Sequence, residues 1–175
     1  SVGVVKNLAI SSYITNESNS DVIKEILKDL DVIELENTNN KERINYGNIF
    51  INGDWYGIHP NLSEITTNLK NKKRLGVINI YTSIVWDIKN NGLQIYTDSG
   101  RIIRPLFIVE NNDLNINDVM LRNIKKKRLK WNDLLYGGVK NKNAVIEYLD
   151  AHETESSLIA MDISKLQNNV ENNHI

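Results

Sequence analysis

Apolar residues recur at helical spacing in some stretches of the chain and alternate with polar ones in others. In "DVIKEILKDLDVIEL" the residues Val22, Ile23, Ile26, Leu27 and Leu30 share one helical stripe behind the capping candidates Ser20 and Asp21. A helix is predicted there, followed by the polar connection "ENTNNKERINYG". "NIFINGDWYGI" predicts a hairpin, because Asn52-Gly53 supplies the two positive-φ residues of a type I′ turn. A two-residue turn sets Phe50 opposite Trp55 and Ile49 opposite Tyr56. Leu62, Ile65 and Leu69 predict a second helix, with Lys70, Lys72, Lys73 and Arg74 in its last turns and Gly76 at its C-terminal cap.

Strand signals then dominate. "VINIYTSIVWDI" predicts one long strand, "KNNG" turns it and "LQIYT" returns. "DSG" turns again and "RIIRPLFIVE" completes a meander. A helix is predicted from Asn117 through Met120, Leu121 and Ile124, ending in "KKKRLK". "WNDLLYGG" predicts a short helix stopped by glycine and "AVIEYLD" a strand. The fold class is α+β, with antiparallel β-hairpins and a meander among short helices.

Composition narrows the function classes. The chain has 175 residues, 41% of them hydrophobic, which suits one globular domain or two small ones sharing a core. Its 21 basic and 22 acidic side chains leave a formal charge of -1, so no global field attracts nucleic acid or anionic lipid. The absence of cysteine removes disulfides, thiolate nucleophiles and cysteine-based zinc sites. No apolar run approaches the roughly 18 residues of a membrane span, and the first residues carry no secretory pattern. An intracellular protein without a membrane partner is expected, and the sequons at Asn16 and Asn61 read as chance matches. The heavy use of Asn, Ile and Lys fits AT-rich codons, and the start without Met suits a sequence entered part-way.

The candidate chemistry is sparse. Glu147, Asp150, Glu153 and Glu155, with His152 among them, are the types that hold metals or run acid-base catalysis. They follow one another along a strand and its exit, where neighbours diverge, so a structural or solvated acidic surface is expected. His59 and His174 are isolated. The basic runs Asn68–Arg74 and Lys125–Lys130 read as a helix C-terminus favoured by the dipole and a solvated helix face. Phosphate-loop spacing and a Ser-His-Asp arrangement are both missing, and no catalytic or metal-ligating residue is expected.

Five strings occur in an order and spacing that carry a resemblance: "SVGVVKNLA", "IFINGDWYGIH", "IYTDSGRIIRPLFIVE", "WNDLLYGG" and "VIEYLDAHETESSLIAM". Together they resemble the second-largest subunit of multisubunit DNA-directed RNA polymerases, in its eukaryotic, archaeal and large-DNA-virus form. "GRIIRPL" is similar to that subunit's GR-x-x-RPL strand. The resemblance implies that residues 1–45 are the end of the fork region, 46–107 the external 1 domain and 108–170 the external 2 domain. Residues 171–175 would open the next region, truncated.

The resemblance further implies a scaffold fragment of an RNA-synthesising enzyme. Catalytic magnesium would belong to the whole polymerase, with no cofactor in the fragment. The implied partners are the largest subunit, other polymerase subunits, the DNA template and the nascent RNA. Gly3, Lys6 and Asn7 would be the residues nearest nucleic acid, positioning and not reacting. The location would be the virion or host cell if viral, the wording favouring giant-virus versions, and the nucleus if eukaryotic. The sequence departs from the pattern by inserting "VKNKNA" after Gly138, which implies an enlarged surface loop, and by Thr154 breaking the acidic run. A stand-alone α+β interaction or nucleic-acid-binding protein sharing these strings remains the alternative.

Arg101 and Arg104 pose a structural question. In a strand they point to opposite faces, so a two-armed phosphate clamp is not expected. Ile102, Leu106 and Ile108 accompany Arg104, while Ile103, Phe107 and Val109 accompany Arg101. Two apolar faces predict cover on both sides and at least one buried guanidinium. Arg104 is the expected buried member, since Arg101 adjoins the turn at Gly100, and in the fold that the resemblance implies Glu147 and Asp150 are the nearest acceptors. Asn52, Gly53 and Trp55 complete the residues expected to be structural.

Overall fold

The computed structural model describes residues 2–39, 44–137 and 143–168. A five-stranded sheet in the order β2-β4-β3-β6-β5 holds the larger core. Its strands are β2 (Ile33–Glu34), β3 (Gly47–Ile51), β4 (Asp54–His59), β5 (Ser83–Asp87) and β6 (Gly92–Tyr96). Two helices, α1 (Asp21–Asp29) and α2 (Leu62–Arg74), supply Ile23, Ile26 and Leu27 and Leu62, Ile65 and Leu69 to that core. The sheet answers with Ile49, Ile51, Ile84, Leu93 and Ile95. The fold is α+β.

Local chemistry explains why these elements begin and end where they do. Asn52 and Gly53 have φ 52° and 90° and join β3 to β4 as a two-residue turn, as the sequence predicts. Phe50 faces Trp55, their rings stacked at 6.2 Å. The expected pairing of Ile49 with Tyr56 does not form. A register shift between Ile49 and Phe50 sets Ile49 against Gly57 instead, because a bulge adds one residue to β4.

Asn61 caps α2, its Oδ1 accepting the Glu64 amide at 3.4 Å. At the other end Gly76 donates to the Lys73 carbonyl and Val77 to the Lys72 carbonyl, both at 3.0 Å, which is a Schellman motif. Gly76 has φ 80°, and a Cβ there would lie 2.6 Å from the Tyr136 ring. Glycine is required twice over.

The long strand expected from Val77 is shortened to Ser83–Asp87. Asn79 accepts the Tyr81 amide through Oδ1 and the Thr82 amide through its carbonyl, so an Asx turn occupies the apolar-looking start. The meander is also corrected. β5 and β6 pair antiparallel, but β6 then pairs parallel with β3, and the chain after it leaves the sheet.

That departing strand, β7 (Ile102–Phe107), joins a second sheet in the order β1-β7-β10, with β1 (Tyr13–Ile14) and β10 (Ile146–Asp150) antiparallel to it. A two-residue Asn111-Asn112 turn pairs β8 (Val109–Glu110) with β9 (Asp113–Leu114). The helices α3 (Asp118–Lys125), α4 (Asn132–Leu135), α5 (Ala151–Glu155) and α6 (Ser164–Asn168) follow as short pieces. A smaller core gathers Leu134, Leu135, Val145 and Ile146, with Met120 and Ile124 against it.

Residues 2–9 have no regular structure and are exposed. Most of the predicted loop after Gly138, together with His174, lies outside the described residues.

Candidate functional site: an ion-paired seam

The acidic run sits where β10 ends and α5 begins, and each of its first three carboxylates meets a cation from elsewhere. Glu147 accepts both arms of Arg74, Nε at 3.1 Å and Nη2 at 3.2 Å, in the two-armed geometry that favours a guanidinium. Asp150 accepts Arg101 Nη1 at 3.2 Å and also caps α5, its Oδ1 receiving the Glu153 amide at 2.7 Å. Glu153 accepts Lys73 Nζ at 3.0 Å.

The last pair is sealed: the Lys73 and Glu153 side chains are 3% and 2% exposed. Burial is the main influence on the Glu153 carboxyl and raises its pKa, with Lys73 pulling it back. The ammonium finds a second acceptor in the Tyr148 carbonyl at 3.0 Å. Satisfying both ends in this way keeps a buried pair tolerable.

Arg101 is the most heavily used donor. Besides Asp150 it reaches Asp98 through Nε at 2.6 Å, the Tyr81 carbonyl at 3.0 Å and the Asp98 carbonyl at 3.2 Å. Its own backbone amide donates to the Thr15 hydroxyl, and Thr15 in turn donates its amide to the Arg101 carbonyl. One guanidinium therefore ties the exit of β6, the Asx turn before β5 and the end of β10.

This reverses the expected ranking of the two arginines. Arg101 is 12% exposed and Arg104 is exposed. The opposite-face argument holds, but near the two arginines only the Ile103 side of β7 is covered. Ile103 is 1% exposed, whereas Ile102, on the Arg104 side, is 49% exposed, so Arg104 stands at an open part of the strand, and among the described residues the expected Arg104 ion pair is absent. Asp150 is a correct partner assigned to the wrong arginine, and Glu147 belongs to Arg74.

The other expected site residues scatter. Asn52 does more than turn the chain: its Oδ1 accepts the Thr97 amide at 2.7 Å and its Nδ2 donates to the Thr97 hydroxyl at 2.9 Å. Trp55 donates Nε1 to the Gly57 carbonyl beside the bulge. His152 stacks on Tyr96 at 5.5 Å, His59 bonds locally to Asn61, and Glu155 is exposed. Gly3, Lys6 and Asn7 lie in the exposed opening segment, far in sequence from the seam. Among the described residues no group of three or more His, Cys, Asp or Glu could hold a metal ion.

Sequence reasoning missed Lys73 and Arg74 as seam residues. A signal was present for the first: Leu62, Ile65, Leu69 and Lys73 continue one stripe at helical spacing.

Residues 49–110 match the family described as RNA polymerase Rpb2, domain 4, and residues 131–175 match RNA polymerase Rpb2, domain 5. The DNA-directed RNA polymerase II subunit RPB2 of Schizosaccharomyces pombe is 35% identical over 94% of this chain. The chain belongs to the family of second-largest RNA polymerase subunits. The RNA polymerase II subunit RPB2 of Encephalitozoon cuniculi is also 35% identical, over 91% of the chain, and the subunit 2 of Acanthamoeba polyphaga mimivirus is 32% identical over 91%. The chain spans 14%, 14% and 13% of the lengths of these three polymerase subunits. Within this polymerase-subunit segment the seam has a direction. Lys73, Arg74 and Arg101 come from the part matching domain 4, and Glu147, Asp150 and Glu153 from the part matching domain 5.

Proposed function

We propose that this chain is a scaffold portion of the second-largest subunit of a DNA-dependent RNA polymerase, which joins ribonucleoside triphosphates into RNA on a DNA template. The observation that carries the scaffold role is the seam itself: its three innermost carboxylates are each engaged by a cation, leaving them committed to holding the fold. Magnesium belongs to the whole polymerase, and the carboxylates described here form no set that would bind it. The working partners are the largest subunit and other polymerase subunits, with DNA template and nascent RNA in the assembled enzyme. Residues 1–45 serve as the end of the fork region, 46–107 as external 1 and 108–170 as external 2. Gly3, Lys6 and Asn7 lie nearest nucleic acid as positioning residues. The enzyme works in the nucleus of a eukaryote or in the virion or host cell of a large DNA virus.

Two measurements test this. The isolated chain, given primer, template, nucleotides and magnesium, extends no RNA. In the full subunit, Arg101→Ala lowers the yield of assembled polymerase but leaves the elongation rate per assembled enzyme unchanged. Extension by the isolated chain, or a slowed rate with intact assembly, would overturn the scaffold role.

A further inference from the structure

Six of the chain's 21 lysines and arginines fall within residues 122–130, which contain no Asp or Glu, leaving 15 cations against 22 acids elsewhere. They are Arg122, Lys125, Lys126, Lys127, Arg128 and Lys130, all exposed. Among the described residues none of their side chains forms an ion pair with a carboxylate, in contrast to the cations of the seam. The segment concentrates positive charge on a chain that is otherwise acidic.

The backbone at this point supplies a second observation. α3 ends in a Schellman motif: Lys127 donates to the Ile124 carbonyl and Arg128 to the Asn123 carbonyl, both at 2.9 Å. The left-handed position of that motif favours glycine, yet it holds Lys127 at φ 57°. Every other non-glycine residue at positive φ among the described residues is an Asn or Asp, the types whose short side chains tolerate it. A long cation stands where backbone geometry alone favours glycine or asparagine.

The third observation is an aromatic ring beside the run. Trp131 is 50% exposed, and its orientation is fixed because Nε1 donates to the Tyr148 hydroxyl at 3.1 Å. Tyr148 is itself held edge-on to Tyr81 at 5.4 Å. A half-open indole, anchored by one edge next to unpaired cations, has the parts of a single-strand binding surface: charges for the phosphates and a flat face for a base. A duplex keeps its base faces stacked, and the indole would have nothing to receive.

We infer that Arg122–Trp131 is a docking site for single-stranded nucleic acid, with the cations tracking the phosphates and Trp131 stacking on a base. The inference deepens the polymerase reading, in which single strands are at hand, but its test is separate. Fluorescence anisotropy of a labelled oligo-uridine RNA is titrated with the 175-residue chain at several salt concentrations. RNA binds more tightly than duplex DNA of equal length. The triple variant Lys125→Glu, Lys126→Glu, Arg128→Glu flattens the dependence of log K on log salt by about 2. Trp131→Ala weakens binding roughly fivefold or more and leaves that slope unchanged. Lys127→Gly keeps or raises the urea midpoint while weakening RNA binding, which separates recognition from folding.

Binding that survives the triple reversal would overturn the inference. So would a polyglutamate peptide that binds as tightly as the RNA and loses as much in the same variants, since the surface would then be a dock for acidic protein. A chain that fails to bind RNA but still supports polymerase assembly would refute the docking site and leave the scaffold role standing.

Discussion

Replacing Lys73 by Met leaves Glu153 as a carboxylate 2% exposed without its ion-pair partner. It also removes the donor to the Tyr148 carbonyl. Breaking a buried pair from one side costs about 3–5 kcal/mol, a large fraction of the roughly 5–15 kcal/mol that holds an ordinary domain. The cost depends on pH in a defined direction. Burial already raises the Glu153 pKa, and loss of Lys73 removes the main influence opposing that rise. A carboxyl whose folded pKa lies above its unfolded value of about 4.3 favours folding when protonated, and that contribution is lost as pH rises through the folded pKa. The Lys73→Met deficit is therefore larger at about pH 7 than at about pH 5. Adding Glu153→Leu removes the stranded charge and recovers at least half of the loss at neutral pH, the remainder being the orphaned carbonyl. Urea denaturation of the two variants at both pH values, with Lys126→Met as an exposed control, measures this through the midpoint at constant slope. A Lys73→Met midpoint equal to the control's, or a deficit independent of pH, would refute the reasoning.

Arg101→Ala strands the buried Asp150 carboxylate and costs roughly 3–5 kcal/mol, whereas Arg104→Ala on the open face stays within about 0.5 kcal/mol by the same denaturation. Gly53→Val costs more than about 1 kcal/mol through its φ of 90°, although nothing lies within 4 Å of a Cβ there, so Gly53→Asn is tolerated and an unchanged valine midpoint would remove the turn argument. The Tyr56 phenol donates to Glu34 Oε1 at 3.1 Å, and burial first, then that bond and charge, push its pKa up to about 12. Its contribution to stability is complete below about pH 10 and is lost as pH rises through about 12, and Tyr56→Phe abolishes that part of the alkaline decline.

Elements governed by neighbours in sequence were legible in it. The Asn52-Gly53 turn, the apolar stripes of α1 and α2 and the glycine that ends α2 follow from two to four adjacent positions. The α+β class and the polymerase resemblance rested on such local patterns. Where the reading failed, a distant contact or a competing local bond decided. The parity of Arg101 and Arg104 was correct, but which face is covered depends on segments as remote as Tyr81 and Asp150. Val77–Thr82 looks extended by composition, yet the Asn79 side chain offers its backbone a turn. The meander failed because β6 pairs with β3 across an intervening helix, which no turn signal encodes. The acidic run reads from sequence as a structural or solvated surface, while its partners on α2 were visible only as the continuation of an apolar stripe into Lys73.

The one-way polarity of the seam constrains how this segment can change over generations. All three bridging cations are carried on one side and all three carboxylates on the other, so neither side can be exchanged for an unrelated one without bringing its complement. Reversal of a single bridging charge places like charges face to face, whereas simultaneous reversal of a matched pair keeps the sum intact. Viable substitutions at Lys73, Arg74 and Arg101 are therefore coupled to those at Glu153, Glu147 and Asp150. The intervening residues 111–130 carry none of these bridges, so substitutions there are not bound to the charges of the seam.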